Sequence, residues 1–119
     1  MSKWLIALLV IVSFGSFAKD PVVFKEGYLF EAIMSGSVVH VKTFDAGFNC
    51  NYDRRENGVS DNMGRYYTLT YTCWTHKAFY RTLYISYYYE PDLFDLVLRN
   101  YTAGPIIYEG IWPAAEVLR

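Results

Sequence analysis

The chain is poor in the residues that most protein chemistry draws on. Its 119 residues include two cysteines, two histidines and four prolines, and 11 basic residues against 12 acidic ones leave a net charge of −1. Without a basic excess there is little to neutralise phosphates, which argues against nucleic acid and against an anionic membrane surface as partners. No Gly-x-Ser-x-Gly elbow is present, and no calcium-loop pattern surrounds Asp61-Asn62. Nor is there an internal repeat or a low-complexity linker. The longest apolar stretch, Trp4 to Phe14, is eleven residues with Ser13 inside it. That is well short of the ~20 needed to span a bilayer.

That stretch has another reading. Lys3 precedes it, and Gly15-Ser16-Phe17-Ala18 follows with small residues at −3 and −1 of a cut before Lys19. This is the pattern of a secretory leader over residues 1–18. Cleavage leaves a single exported domain, 19–119, of 101 residues and net charge −2, because Lys3 is the only charged residue removed. No stable membrane insertion is expected after the cut, and the domain belongs in a periplasmic or secreted setting. All 12 tyrosines lie in the retained part.

An even cysteine count in an exported chain favours a Cys50–Cys73 bridge. The rival is a zinc site using both cysteines with His40 and His76. Only Cys73-x-x-His76 has ligand-like spacing, and oxidation competes for the thiolates. No metal and no cofactor are expected.

The clearest secondary structure runs from Arg65 to Tyr89. Tyr67, Leu69, Tyr71 and Cys73 alternate with threonines, and Phe79, Arg81, Leu83, Ile85 and Tyr87 alternate with Tyr80, Thr82, Tyr84, Ser86 and Tyr88. Both patterns are half-buried strands. If Leu69 and Leu83 share the core, paired residue numbers must have an even sum. A three-residue loop (75–77, setting Thr72 opposite Tyr80) or a five-residue loop (75–79) satisfies this; a four-residue loop does not. Arg81 then falls on the core side, where it needs a carboxylate or a place near the sheet end.

Tyr28–Met34 and Ser37–Phe44 predict a second hairpin around Ser35-Gly36, Phe48–Tyr52 a strand carrying Cys50, and Pro105–Trp112 a closing strand. Residues 53–64 predict a long exposed loop. Pro91, early Asp92 and Asp95, late Arg99 and Gly104 predict a helix over 91–103, with Asp95 and Arg99 as an i,i+4 pair, although Phe94, Leu96 and Leu98 also alternate like a strand. One helical turn is expected in the tail. The fold class is therefore mostly β: a small antiparallel sheet or sandwich with one short helix and a single disulfide.

No catalytic constellation emerges, and the protein is not expected to be an enzyme. His40 alternates onto the face of Lys42, and His76 falls in an expected turn, so both read as surface residues. Asp53, Glu56 and Asp61, or Glu90, Asp92 and Asp95, could supply a glycosidase with carboxylates, but no spacing marks a pair. Asn100-Tyr101-Thr102 is a sequon that reads as incidental.

The tyrosine–threonine face carries the functional inference. Tyrosine combines stiff contact area with a hydroxyl, which suits protein interfaces and sugar stacking. Trp74, Tyr80, Tyr84 and Tyr88 would share one surface, with Tyr66 at its edge. Arg54-Arg55-Glu56 or Ala103-Gly104-Pro105 would form a loop that enters a partner's cleft. The leader with Ser16-x-Ala18, the Cys50/Cys73 pair and the strands RYYTLTYTCW and FYRTLYISYYY together resemble the small periplasmic inhibitor and immunity proteins of bacteria. These include proteins that protect against cell-wall-cutting toxins of type VI secretion systems. The resemblance is one of overall architecture, and it implies a protein partner such as a secreted hydrolase toxin. Homodimerisation through the aromatic face is compatible with it. The alternative is an envelope glycan- or ligand-binding module using the same tyrosines.

Overall fold

Alternation along the chain resolves into one sheet. The computed structural model describes residues 21–76 and 79–117; the leader expected over 1–18 lies outside them. Eight antiparallel strands follow one another in chain order: β1 (Val22–Glu26), β2 (Phe30–Ser35), β3 (Val38–Thr43), β4 (Gly47–Ser60), β5 (Gly64–His76), β6 (Phe79–Tyr88), β7 (Leu93–Asn100) and β8 (Ile106–Pro113). A 3-10 turn, Ala114–Glu116, ends the described chain, as the tail predicts. Among the described residues no helix is long and apolar enough to cross a membrane.

The sheet coils until its inward side chains meet. Phe24 of β1 packs edge-on against Phe94 of β7 and Trp112 of β8, with ring centroids 5.2 and 5.5 Å apart. Phe30 stacks on Tyr108 at 4.2 Å, and the Tyr108 hydroxyl donates to Glu26. β1 and β8 are not hydrogen-bonded neighbours, so the near-barrel is sealed by side chains rather than by a ladder. Phe24, Tyr71, Leu83, Ile85, Leu96 and Leu98 fill its interior. Burial and the Glu26 hydrogen bond both push the Tyr108 phenol well above its ordinary pKa.

The parity argument holds. Leu69 faces Ile85 and Tyr71 faces Leu83 on the core side. The register is that of the five-residue alternative, with Thr72 opposite Thr82 and Thr70 opposite Tyr84, and an irregularity between Trp74 and His76. His76 is correspondingly the last residue of a strand, paired with Phe79, rather than part of a turn. Arg81 is buried on the core side and has the carboxylate it needs. Its Nη2 lies 3.2 Å from Asp45 Oδ2, its Nε donates to Asn100 Oδ1 at 3.1 Å, and the Phe48 and Phe79 rings flank it. The Thr43 hydroxyl and the Arg81 guanidinium hold the Asp45 carboxyl below its usual range.

Two expectations are corrected. Residues 91–103 are not helical: Leu93–Asn100 is β7. A helix would scatter Phe94, Leu96 and Leu98 around its circumference, whereas a strand sends all three to one side, and Leu96 and Leu98 are fully buried there. Asp92, at φ 55°, turns the chain into β7 instead of starting a helix. Asp95 and Arg99 are not partners; Arg99 donates to the Gly104 carbonyl. Residues 53–64 are not a loop either. They continue β4 past an irregularity at Tyr52/Arg54, pair with β5 as far as Ser60–Gly64, and leave only Asp61–Met63 as the turn. Gly64, at φ 79°, supplies the backbone conformation this turn requires. β3 begins opposite Asn51, so beyond that point β4 is an arm with a free edge, paired with β5 on one side only and largely exposed on both faces. It therefore lacks the apolar alternation that marks a strand.

Cys50 and Cys73 are directly opposed, completely buried and bridged. Replacing both by alanine should lower unfolding free energy by about 3 kcal/mol. Denaturant titration of the oxidised parent and the double variant measures the difference.

Candidate binding surface

Strand alternation fixes what the convex outer face presents. With Leu69, Tyr71, Cys73, Leu83 and Ile85 inside, the other face of β5 and β6 carries Tyr66, Thr68, Thr70, Thr72 and Trp74 beside Tyr80, Thr82, Tyr84, Ser86 and Tyr88. Trp74, Tyr80, Tyr84 and Tyr88 therefore do lie on one surface. Trp74 and Tyr80 are directly paired, with rings 5.2 Å apart, and Tyr88 packs on Tyr66 at 5.0 Å. Between them the face is recessed. Thr70, flanked by Arg54 and Tyr84, is 2% exposed, while Trp74 at the end of the row is 54% exposed. Thr68 and Ser86 hydroxyls bond to each other at 2.7 Å.

Much of the tyrosine hydroxyl capacity is already used. The β7–β8 loop folds back over β6, where the Tyr80 hydroxyl meets Thr102 Oγ1 at 3.0 Å and Tyr84 donates to the Thr102 carbonyl at 3.2 Å. Tyr101, in a left-handed conformation, donates its N–H to the Tyr80 carbonyl and sets its ring edge-on to Tyr80. Ala103-Gly104-Pro105 belongs to this closed loop, tied by Gly104 N–H to the Asn100 carbonyl and by Asn100 N–H to that of Pro105. The Asn100 side chain accepts from buried Arg81, so the sequon's asparagine has a structural role.

Arg54, Arg55 and Glu56 are not the tip of a loop but three successive residues of a strand, and alternation divides them. Arg54 and Glu56 stand on the outer face opposite Thr70 and Thr68. There Arg54 pairs with Asp53 at 2.6 Å and Glu56 at 3.6 Å. Arg55 points to the other side, over the Tyr67 ring at 4.1 Å, and donates to Asn57 and to the Tyr89 hydroxyl. Tyr67, Tyr87, Tyr89 and Phe94 form a second aromatic cluster on that inner side. Burial raises the Tyr67 pKa, and the Asp92 carboxylate beside Tyr87 does the same for that phenol. The signal for this cluster was the odd-numbered tyrosines of the same two strands.

A carboxyl pair on the outer face also went unseen. Asp95 lies opposite Ser86 and Ile111, and Glu109 opposite Val97. The Asp95 carboxyl is pushed up to about 6, first by burial and then by the Glu109 charge and hydrogen bond. The sequence had offered Asp95 to a helix, which hid its neighbour across the strand. Asp61 sits in the β4–β5 turn, and Glu90 and Asp92 in the β6–β7 turn. Among the described residues no cluster of three or more His, Cys, Asp or Glu side chains could hold a metal ion.

Because Asp95 binds its proton more tightly in the folded than in the unfolded chain, its contribution to stability is complete below about pH 4. That contribution is lost as pH rises through about 6. Asp95→Asn should therefore melt higher than the parent at pH 7.5, by of order 1 kcal/mol after allowing for solvent screening, and lose that advantage at pH 4. Thermal melts of both proteins across this range check it. No protein-family model matches this chain, and neither does any curated protein or solved structure.

Proposed function

We propose that this is an exported, periplasmic or secreted, protein-binding inhibitor that blocks the cleft of a partner such as a cell-wall-degrading toxin, in the manner of an immunity protein. The observation that carries the reading is the outer face of β4–β6. There Trp74, Tyr80, Tyr84 and Tyr88 share a surface with Arg54 and Glu56 of the projecting arm. The aromatic rings are held by neighbours before any partner arrives: Tyr80 and Tyr84 by Thr102, Tyr88 by Tyr66. A pre-ordered aromatic patch loses little conformational entropy on binding and favours association. Beyond β3 the arm presents a free strand edge beside these rings, a feature that a partner's cleft can enclose. The buried Cys50–Cys73 bridge and the leader pattern support an oxidising compartment outside the cytosol.

The full chain, expressed with its leader and recovered from the envelope fraction, should capture a secreted hydrolase and suppress its activity. Trp74→Ala and Arg54→Glu should each weaken that complex about tenfold or more while the melting temperature holds, as expected of an aromatic anchor and a rim charge. Wild-type affinity in both variants removes this face from the interface. A bait that captures and inhibits no hydrolase removes the inhibitor reading.

A further inference from the structure

A second feature of the outer face lies at the opposite end from the arm. Gly47, on β4, has no side chain, and its neighbours rise around it to leave a shallow groove of about 320 Å³ lined by Glu31, Ile33, His40, Lys42, Gly47 and Asn49. Trp74 does not line the groove but stands next to its edge, across the ladder from Asn49. Register places His40 opposite Asn49, Asn49 opposite Trp74 and Trp74 opposite Tyr80. With strands about 4.8 Å apart, this row of four side chains spans about 14 Å.

We infer that this groove, with Trp74 as its platform, binds a short uncharged oligosaccharide. Three features select that chemistry. First, Trp74 presents an aromatic surface that is 54% exposed, suited to the apolar face of a sugar ring. Second, the polar groups beside it are set for hydroxyls. His40 Nδ1–H donates to Asn49 Oδ1 at 2.6 Å, which orients both side chains and leaves the imidazole Nε2 and the Asn49 amide nitrogen for a ligand. Third, the charges are few and of mixed sign: Glu31 stands between its cross-strand partners Lys42 and Lys25, with the Lys25 Nζ 4.0 Å from its carboxylate. With a carboxylate between two lysines, the groove carries no run of like charge to hold a polyanion.

This site shares Trp74 with the inhibitor reading but otherwise rests on β2–β4 and not on Arg54 and Glu56. Gly47 provides a selective test. A Cβ built on it meets only the Val41 carbonyl oxygen, at 3.9 Å, and its φ lies outside the left-handed region. Gly47→Leu should therefore fold and fill the groove. Chitotriose and cellotriose are titrated into the full-length secreted protein and followed by tryptophan fluorescence and calorimetry. Saturable binding of either triose is expected, with a dissociation constant of roughly 0.1–1 mM. Gly47→Leu and Asn49→Ala should weaken it about tenfold, and Arg54→Glu should leave it unchanged. No saturable binding of either sugar overturns the proposal, as does binding that Gly47→Leu leaves intact. Loss of protein capture in Gly47→Leu without any sugar binding would assign the groove to a protein interface and overturn it equally.

Discussion

The pairing of Cys50 with Cys73 is the constraint on which the rest of the surface depends. A strand has only two faces, so one fixed pair decides the side of the residues on both strands until an irregularity intervenes, as at Tyr52/Arg54 of β4. With both sulfurs at the core, Trp74, Thr72 and Thr70 must face outward on β5, and Gly47 and Asn49 on β4. The ladder passes the same parity to β6 and β7, where Tyr80, Tyr84, Tyr88 and Asp95 follow. A slip of one residue would drive the threonine row into the interior and the leucines into water. The bridge joins two already neighbouring strands, so it sets register as well as restraining the unfolded chain.

Unequal strand length gives the molecule its shape. β1, β2 and β3 are five or six residues long, whereas β4 and β5 are 14 and 13. The short strands meet β8 through Phe24, Phe30, Tyr108 and Trp112, and this aromatic seam closes one end of the coiled sheet. The surplus of β5 is paired with β6, whereas the surplus of β4 has no strand beyond it and leaves a free edge. Charged residues along the uncovered edge, Arg54, Arg55 and Glu56, and the irregularity at Tyr52 are features that discourage indiscriminate strand pairing there.

Satisfied hydroxyls and exposed rings are distributed unevenly over the outer face. Tyr80 and Tyr84 spend their hydroxyls on the loop that covers them, so they act mainly as fixed flooring. Trp74 stands clear of that network, beside the His40–Asn49 pair. The two ends of one face thus differ in chemistry: ion-paired and threonine-lined towards the arm, amide- and imidazole-lined around Gly47.

The β class, the bridge, the β5–β6 parity and the common face of Trp74, Tyr80, Tyr84 and Tyr88 were all legible in the residues. Each depends on local period or on cysteine count. The strand character of Arg54–Ser60 was not, because polarity on both faces erases the alternation that identifies a strand. β7 was ambiguous for a related reason: Pro91 and its acidic neighbours imitate a helix start, while the feature that opposes a helix, the burial of Leu96 and Leu98 on one side, exists only once β6 is beside them. Asp95 beside Glu109, and His40 beside Asn49 and Trp74, join residues distant in sequence, and such pairs arise from register rather than from any motif. By itself the sequence determined which residues alternate and which two sulfurs could meet. Which side chains stand next to one another across strands, and hence what the surface can bind, was decided by tertiary structure, because a strand's period says nothing about who its neighbours are.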